Sequence, residues 1–534
     1  MDRLRTRLLA AAVVALIVAA PFLLHLFESP GRPIGMELPN PAVRGDSDAY
    51  QGVWHHWWVA TAILDGVDPR WCCAVFHPRG VSLVYDNVGW VDCVALLPLS
   101  RGFPAVAYNM GLLLNSILVA LGVYALSRSM HSRRHAAMIA ALLAALMPVR
   151  LAHLLQHYQI AAIGWTALAL AAVLRVAEGS GRKAALLTAA VVLAGLAMLQ
   201  SPYHYLFILV SIAMLPLLAE GRADMRRWWA AAGAVLVGGV PAIVFYLTGA
   251  ASAGIPEVSA SEAVLWAAEP QSLLLPSPFG VLGRALGTPA AASWMPNAFE
   301  GIITPGLTVL AAAGIWVVKT RRWRVAAAAC IMLLLAMGPQ LKILGRVTAV
   351  PLPFRLLQMV PFGEGFRSPA RFALVGGMLA CVLAGRWMAD RRGVARAVIV
   401  AAVLLEVFPV GLPSVSGHIP EVYRSGGGNG PVLELPVSQD ARRPIFFQTA
   451  DGRPRYAVFL TRRPQWAESY MDELRALVRR SDSPRELLEA SGATLLVCNR
   501  WLQTSGVRIA SDSILPDDCR DSTLFWTAGG QVKP

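Results

Sequence analysis

Two carboxylates, Asp46 and Asp48, stand one residue apart in the stretch RGDSDAY at residues 44–50. In a turn, such a pair can hold a divalent cation, or one member can act as general base; the same Asp, Ser and Gly content also favours a plain solvated turn. Downstream, DPRWCCAVFHPRGVSLVYDN adds His77, Arg79, Tyr85 and Asp86, with Pro78 and Gly80 marking a turn. These either line a site or pack a loop. In RLAHLLQHYQ, His153 and His157 are four residues apart and share a helical face, followed by Tyr158. That spacing binds metal when a third ligand joins it, and otherwise serves capping and hydrogen bonding. QSPYHY repeats the flavour with Tyr203 and His204. In FGEGFRSPARF, Arg367 and Arg371 bracket Ser368 and Pro369. Guanidinium forks bind phosphate bidentately, and arginines near a bilayer also snorkel to headgroups. Glu364 is a partner for either arginine; Glu269 and Glu300 are carboxylates with no assigned role.

The elements that must position these groups are mostly apolar. Of 534 residues only 15% are charged and 56% are hydrophobic, against about 25% charged in soluble domains. The deficit predicts a polytopic membrane protein. The net charge of +14 does not indicate nucleic acid, because no basic groove with interleaved aromatics is visible and the basic residues cluster between apolar runs. Eleven spans are expected, near 7–27, 104–127, 136–151, 158–176, 184–200, 204–219, 229–248, 302–318, 325–338, 371–388 and 394–412. The connections SRSMHSRRH, EGSGRK, EGRADMRR, KTRRWR and DRRGVAR are short and rich in Arg or Lys, as cytoplasmic loops are. The N-terminus is then cytoplasmic, and loops 28–103, 249–301 and 339–370 lie outside, all within a membrane domain of residues 1–412.

QGVWHHWWVATAIL within the first loop reads as a helix lying at the membrane interface, where Trp is favoured. The tail, 413–534, reads as a small soluble α+β domain on the outer side. PVLELPV and ATLLVCNR are its expected strands. MDELRALVRR and SPRELLEAS are its helices, the second opening on Ser483 and Pro484. If that side is oxidising, Cys498–Cys519 is a plausible disulfide, as is Cys93 with Cys72 or Cys73. No zinc-site spacing with the required His or Cys partners is present.

The order of these pieces resembles the GT-C superfamily of membrane glycosyltransferases. An Asp-bearing loop follows the first span, then HPRG, HYQ and RSPARF occur in that order before an external tail. The tail phrases VLELPV and QTADGRPR resemble the bacterial YfhO-like and related branch. The resemblance implies transfer of a hexose or pentose, with inversion, from a polyprenyl-phosphate carrier to a lipid or glycan acceptor outside the bacterial inner membrane. It implies Asp46 as base, with Asp48 assisting or holding Mg2+ or Mn2+. Arg367 and Arg371 would neutralise the donor phosphate, and His77, His157, Tyr158, Tyr203 and His204 would contact substrate. Two rival functions are a flippase of lipid-linked sugars and a non-catalytic envelope scaffold. A flippase would carry ionisable residues near the midplane, and Glu406 is the main one in a span.

Overall fold

The computed structural model describes residues 2–37, 46–219, 224–250, 260–286, 298–360, 363–409, 411–425, 429–435, 437, 442–498, 524–527 and 530–532. The chain divides into two compact units. One comprises Met1–Glu28, Met110–Val244 and Val258–Leu412, and the other Ser29–Asn109, Phe245–Glu257 and Pro413–Pro534. The tail therefore groups with the first loop.

The first unit is helical. Among the described residues, five helices are long and apolar enough to cross a membrane, and six if the bent pair Arg134–Leu146 and Pro148–Leu154 counts as one. Ala12–Glu28, Pro202–Ala213, Leu307–Thr320 and Arg324–Ala336 are shorter apolar helices. The sequence suggested eleven spans. One reason for the difference is that hydropathy windows run through breaks: the expected span 136–151 stops at Leu146 and restarts at Pro148 after a 44° bend. Proline supplies no N–H to the preceding turn, so a helix breaks there readily.

Helix Ala373–Ala389 is the centre of this unit. It packs on Arg134–Leu146, Leu307–Thr320 and Arg324–Ala336, and all but Trp387 and Ala389 of its residues are buried. Helices Lys183–Gln200 and Met225–Ala250 instead turn apolar side chains outward, including Leu236, Val237 and Val240. A continuous outward apolar face suits lipid rather than water. Close approach between helices is made by glycine, as is common in membrane bundles. A Cβ at Gly164 would lie 2.6 Å from the Leu118 carbonyl oxygen. Gly164→Ala is therefore expected to destabilise the unit by about 1–3 kcal/mol, read as a lower unfolding temperature in detergent; an unchanged temperature would mean the helices separate freely there.

The second unit is built on helix Asp48–Leu64. The stretch expected to lie at an interface is this helix, but 13 of its 17 residues are buried. Its Trp54, Trp57 and Trp58 pack in a protein core with Phe76, Leu433 and Tyr470. The expected tail elements are present. Strands Val432–Leu435 and Leu495–Cys498 pair in parallel, and Leu524–Thr527 and Gly530–Val532 extend the sheet antiparallel. Helix Trp466–Arg480 is amphipathic, with Ala467, Tyr470, Met471, Leu474 and Val478 inward. Helix Pro484–Ser491 is capped by Ser483, whose hydroxyl accepts the Glu486 N–H at 3.2 Å. Ser/Thr–x–x–Glu is the expected capping pattern.

Cys498 is disulfide-bonded, and Cys519 lies outside the described residues. The expected bridge from Cys93 to Cys72 or Cys73 does not form, since all three are thiols. Cys72 and Cys93 are instead buried packing residues of the second unit's core.

Candidate functional site

Two clusters gather the chemistry-bearing side chains, one in each unit. In the second unit, Asp46 precedes helix Asp48–Leu64, whose N-cap Ser47 accepts the Ala49 N–H at 3.2 Å. Asp46 is fully buried. Its carboxylate accepts the Arg442 backbone N–H at 2.7 Å and the Ser47 N–H at 3.0 Å. Arg442 is the N-cap residue of helix Arg443–Asp451, so the carboxylate also faces the positive end of a helix. The Arg442 side chain donates to Asp48 and stands 3.9 Å from Asp46, with its guanidinium 3.6 Å above the Phe459 ring. Burial pushes the Asp46 carboxyl up to about 6, against the opposing pull of Arg442, Ser47 and Arg443.

Magnesium or manganese at Asp46 and Asp48 would need several oxygen ligands. Both carboxylates here are engaged by Arg442, and the pair is not part of any group of three metal-ligating side chains among the described residues. Such an ion takes one or two carboxylates with waters or phosphate oxygens, and at this pair it would compete with Arg442 for both carboxylates.

Nearby in the same unit, Asp86 accepts from Gln51 at 2.8 and 2.9 Å, pairs with His55 at 2.8 Å and takes the Thr461 N–H at 2.9 Å. Burial would raise the Asp86 carboxyl, but the His55 and Thr461 contacts hold it below its ordinary value. The network pins the helix to its own loop and to the tail. His77 is half-buried with its ring edge-on to Tyr456. Its backbone bonds Arg455 and the Tyr470 hydroxyl, and burial lowers its ring's affinity for a proton. Arg79 lies over the Trp466 and Tyr470 rings. These residues join loop and tail within the unit.

In the first unit, the bend at Pro148 delivers His153 and His157 beside Glu300. His153 Nε2 is 4.0 Å from Glu300 Oε2, and His157 Nδ1 is 3.7 Å from Oε1. Arg371 donates to Oε1 from Nη2 at 2.8 Å and from Nε at 3.1 Å. Its guanidinium also covers the Tyr203 ring at 4.6 Å, and the Tyr203 hydroxyl accepts the Ser368 N–H at 3.0 Å. Burial opposes the charge on Glu300, but Arg371, His153 and His157 outweigh it and hold the carboxyl down to about 2. Tyr158, beside His157, is buried.

His204 is tied away from this cluster, between the Thr166 hydroxyl at 3.1 Å and the Gln159 carbonyl at 2.9 Å. Arg367 pairs at 3.3 Å with Glu262 and keeps 27% of its side chain exposed. The Glu364 side chain lies outside the described residues.

Arg442 was missed in the sequence. The signal was present: Arg-Arg-Pro directly before an apolar helical run marks a helix start, but no local feature ties that start to Asp46. Glu300 was noted without a role, since its partners are 71 residues downstream and about 145 upstream in the chain.

The fold is that of the GT-C membrane glycosyltransferases. The arabinofuranosyltransferase AftD from Mycobacteria superposes with a TM-score of 0.54 at 16% identity, over 92% of this chain and 35% of AftD; the chain spans about a third of AftD's length. The oligosaccharyltransferase AglB from Archaeoglobus fulgidus, in complex with an inhibitory peptide and a dolichol-phosphate, superposes at 0.49 with 13% identity, over 92% of this chain and 69% of AglB. No curated protein sequence matches the chain. The family match is not to the YfhO-like branch: residues 55–408 match the model described as Domain of unknown function (DUF6311), and the chain belongs to that family.

Proposed function

We propose that the protein is a membrane glycosyltransferase that moves a sugar from a polyprenyl-phosphate-linked donor to a hydroxyl of an envelope acceptor. The observation that carries the reading is Asp46: a fully buried carboxylate with its proton affinity raised to about 6, in a fold shared with glycosyltransferases. A general base works best when its pKa lies near the working pH. In the proposed step Asp46 takes the acceptor's hydroxyl proton as the oxygen attacks the sugar's anomeric carbon. The bond from that carbon to the phosphate oxygen breaks, configuration inverts, and polyprenyl phosphate leaves with the electron pair. Asp48 and Arg442 fix the position of Asp46.

Arg367 is the proposed contact for the leaving phosphate. Arg371 adds positive potential while tethered to Glu300, a role that preorganised cations fill well. His157, Tyr158 and Tyr203 border the same cluster as Arg371. His77 and His204 hold backbone and neighbouring side chains, and their proposed role is positional.

The transport reading is less favoured for a specific reason. Glu406, the carboxylate in the last expected span, is buried and accepts the Leu307 and Thr308 N–H groups at the start of helix Leu307–Thr320. It caps a helix and is not placed as a mobile ion site.

The test is a gene deletion followed by mass spectrometry of envelope glycolipids and glycans, with complementation at matched protein levels. The expected result is loss of a hexose- or pentose-sized mass, restored by wild type and by Arg367→Lys only in part. Unchanged profiles, or accumulation of a lipid-linked sugar on the cytoplasmic side, would move the account to scaffolding or transport.

A further inference from the structure

We propose that His153, His157 and Glu300 form a binding site for one zinc-class divalent ion. Among the described residues they are the one group of three whose ligand atoms all lie within 4.8 Å of one another. His153 Nε2 and His157 Nδ1 approach the carboxylate to 4.0 and 3.7 Å. Zinc ligands sit about 2.0–2.2 Å from the ion, which places them roughly 3.3–3.6 Å apart in a tetrahedron. The observed spacing is slightly open, and side-chain rotations of a few tenths of an ångström to about one ångström would close it.

Unmet polar groups point the same way. His153 is 1% exposed, yet neither ring nitrogen has a hydrogen-bond partner. Gln156, 3% exposed, likewise has both amide atoms unpartnered. Buried polar atoms in folded proteins are nearly always satisfied, so a local group of exceptions calls for a missing ligand. A metal with a bound water would serve both, the ion at His153 and the water toward Gln156.

The donor set selects the metal class. Two imidazoles and one carboxylate suit zinc and neighbouring transition metals, whereas Mg2+ and Ca2+ want oxygen. Three protein ligands leave a fourth position open for water or a ligand oxygen. Arg371 fits as the outer partner of a ligating carboxylate. It bonds Oε1 from two nitrogens, orienting Glu300 while His153 faces Oε2, the arrangement that tunes many metal sites. The local fold supplies the aim. His153 lies in the last turn of helix Pro148–Leu154 and His157 is the N-cap of Tyr158–Ala161, so one short turn sets both rings. This inference stands apart from the transferase reading, because it concerns binding alone.

The experiment uses the full chain in detergent, stripped with a chelator and then titrated with Zn2+ or Co2+. Elemental analysis should give one Zn2+ per chain, and Co2+ should give the intense visible bands of a four-coordinate site. His153→Ala with His157→Ala should weaken Zn2+ binding at least 100-fold. His153→Gln, which keeps the volume, should weaken it at least 10-fold if the double variant fails to fold. Wild type that binds no Zn2+ would overturn the proposal. So would binding that survives in the histidine variants and disappears in Asp46→Asn with Asp48→Asn, which would put the ion at the aspartate pair. Zinc bound at the histidines in a protein without transfer activity would leave this site standing and remove the transferase reading.

Discussion

Asp46→Asn is expected to lower sugar transfer by about 10²–10⁴-fold while leaving the fold within a few degrees of wild-type stability. The amide keeps one oxygen, which can accept the Arg442 N–H now bonded to Oδ2 at 2.7 Å, while its NH2 meets the Ser47 N–H that Oδ1 accepts at 3.0 Å; it loses one hydrogen bond and the ability to take a proton. The titration sign makes the prediction sharper. The folded carboxyl titrates at about 6 against 3.8 for an ordinary aspartate, so the protonated form favours folding. Its stabilising contribution is full below about 3.8 and is lost as pH rises through about 6. Catalysis runs the opposite way, since a base must be ionised, and the rate should climb with pH through about 6. At pH 8 the wild type therefore carries a buried charge that the Asn variant lacks. Thermal unfolding and transfer rate, measured together across pH 5–8, separate the two roles. A variant that keeps its activity and loses several degrees would make Asp46 a structural anchor of helix Arg443–Asp451 and end its candidacy as base.

How much of this was legible in the sequence depends on the range of the interaction. Local patterns read well. Ser483-Pro484 marked a helix start that the structure places there, and VLEL and LLVC became paired strands. The apolar runs gave helices nearly everywhere they were expected. What failed was inference from composition to surroundings. Five tryptophan and histidine neighbours in QGVWHHWW suggested a membrane surface, because amphipathic aromatics are common there. The same residues are equally suited to a packed core with internal hydrogen bonds, and that is where they lie: Trp54 donates to Gln448 at 2.7 Å and His55 pairs with Asp86. Only the folded chain brings in the partners, which sit 394 and 31 residues away.

The site followed the same rule. Each histidine, arginine and carboxylate was visible as a residue type, and the i, i+4 spacing of His153 and His157 reads as metal-binding only when a third ligand joins it. The identity of that ligand was not available, because Glu300 has no flanking motif. The arginine pair shows the same limit. Its placement against the usual charge bias suggested an anionic ligand with Glu364 as protein partner; the described carboxylate partners are Glu262 for Arg367 and Glu300 for Arg371. Charge pairing across distant segments has no periodic signature, whereas helix faces do.

Glu300→Gln should be the most damaging single change in the first unit, costing about 3–5 kcal/mol in metal-stripped protein. The reason lies in what the substitution leaves behind. Arg371 is 4% exposed and its ion-pair partner among the described residues is Glu300, so neutralising the carboxylate strands a buried cation. The Glu300 carboxyl is held at about 2 instead of 4.5, so its contribution is present above pH 4.5 and is lost only as pH falls toward 2. Between pH 5 and 8 the penalty should therefore be independent of pH, unlike the effect at Asp46. A double-mutant cycle distinguishes pairing from packing. Replacing Arg371 by Met in the Gln background removes the stranded charge and should recover part of the loss, because buried ion pairs are often replaceable by apolar groups of similar volume. Additive losses would mean the two side chains act independently. That result would also undercut the use of Arg371 as the outer partner of a metal-binding Glu300, since an orienting contact must couple to the group it orients.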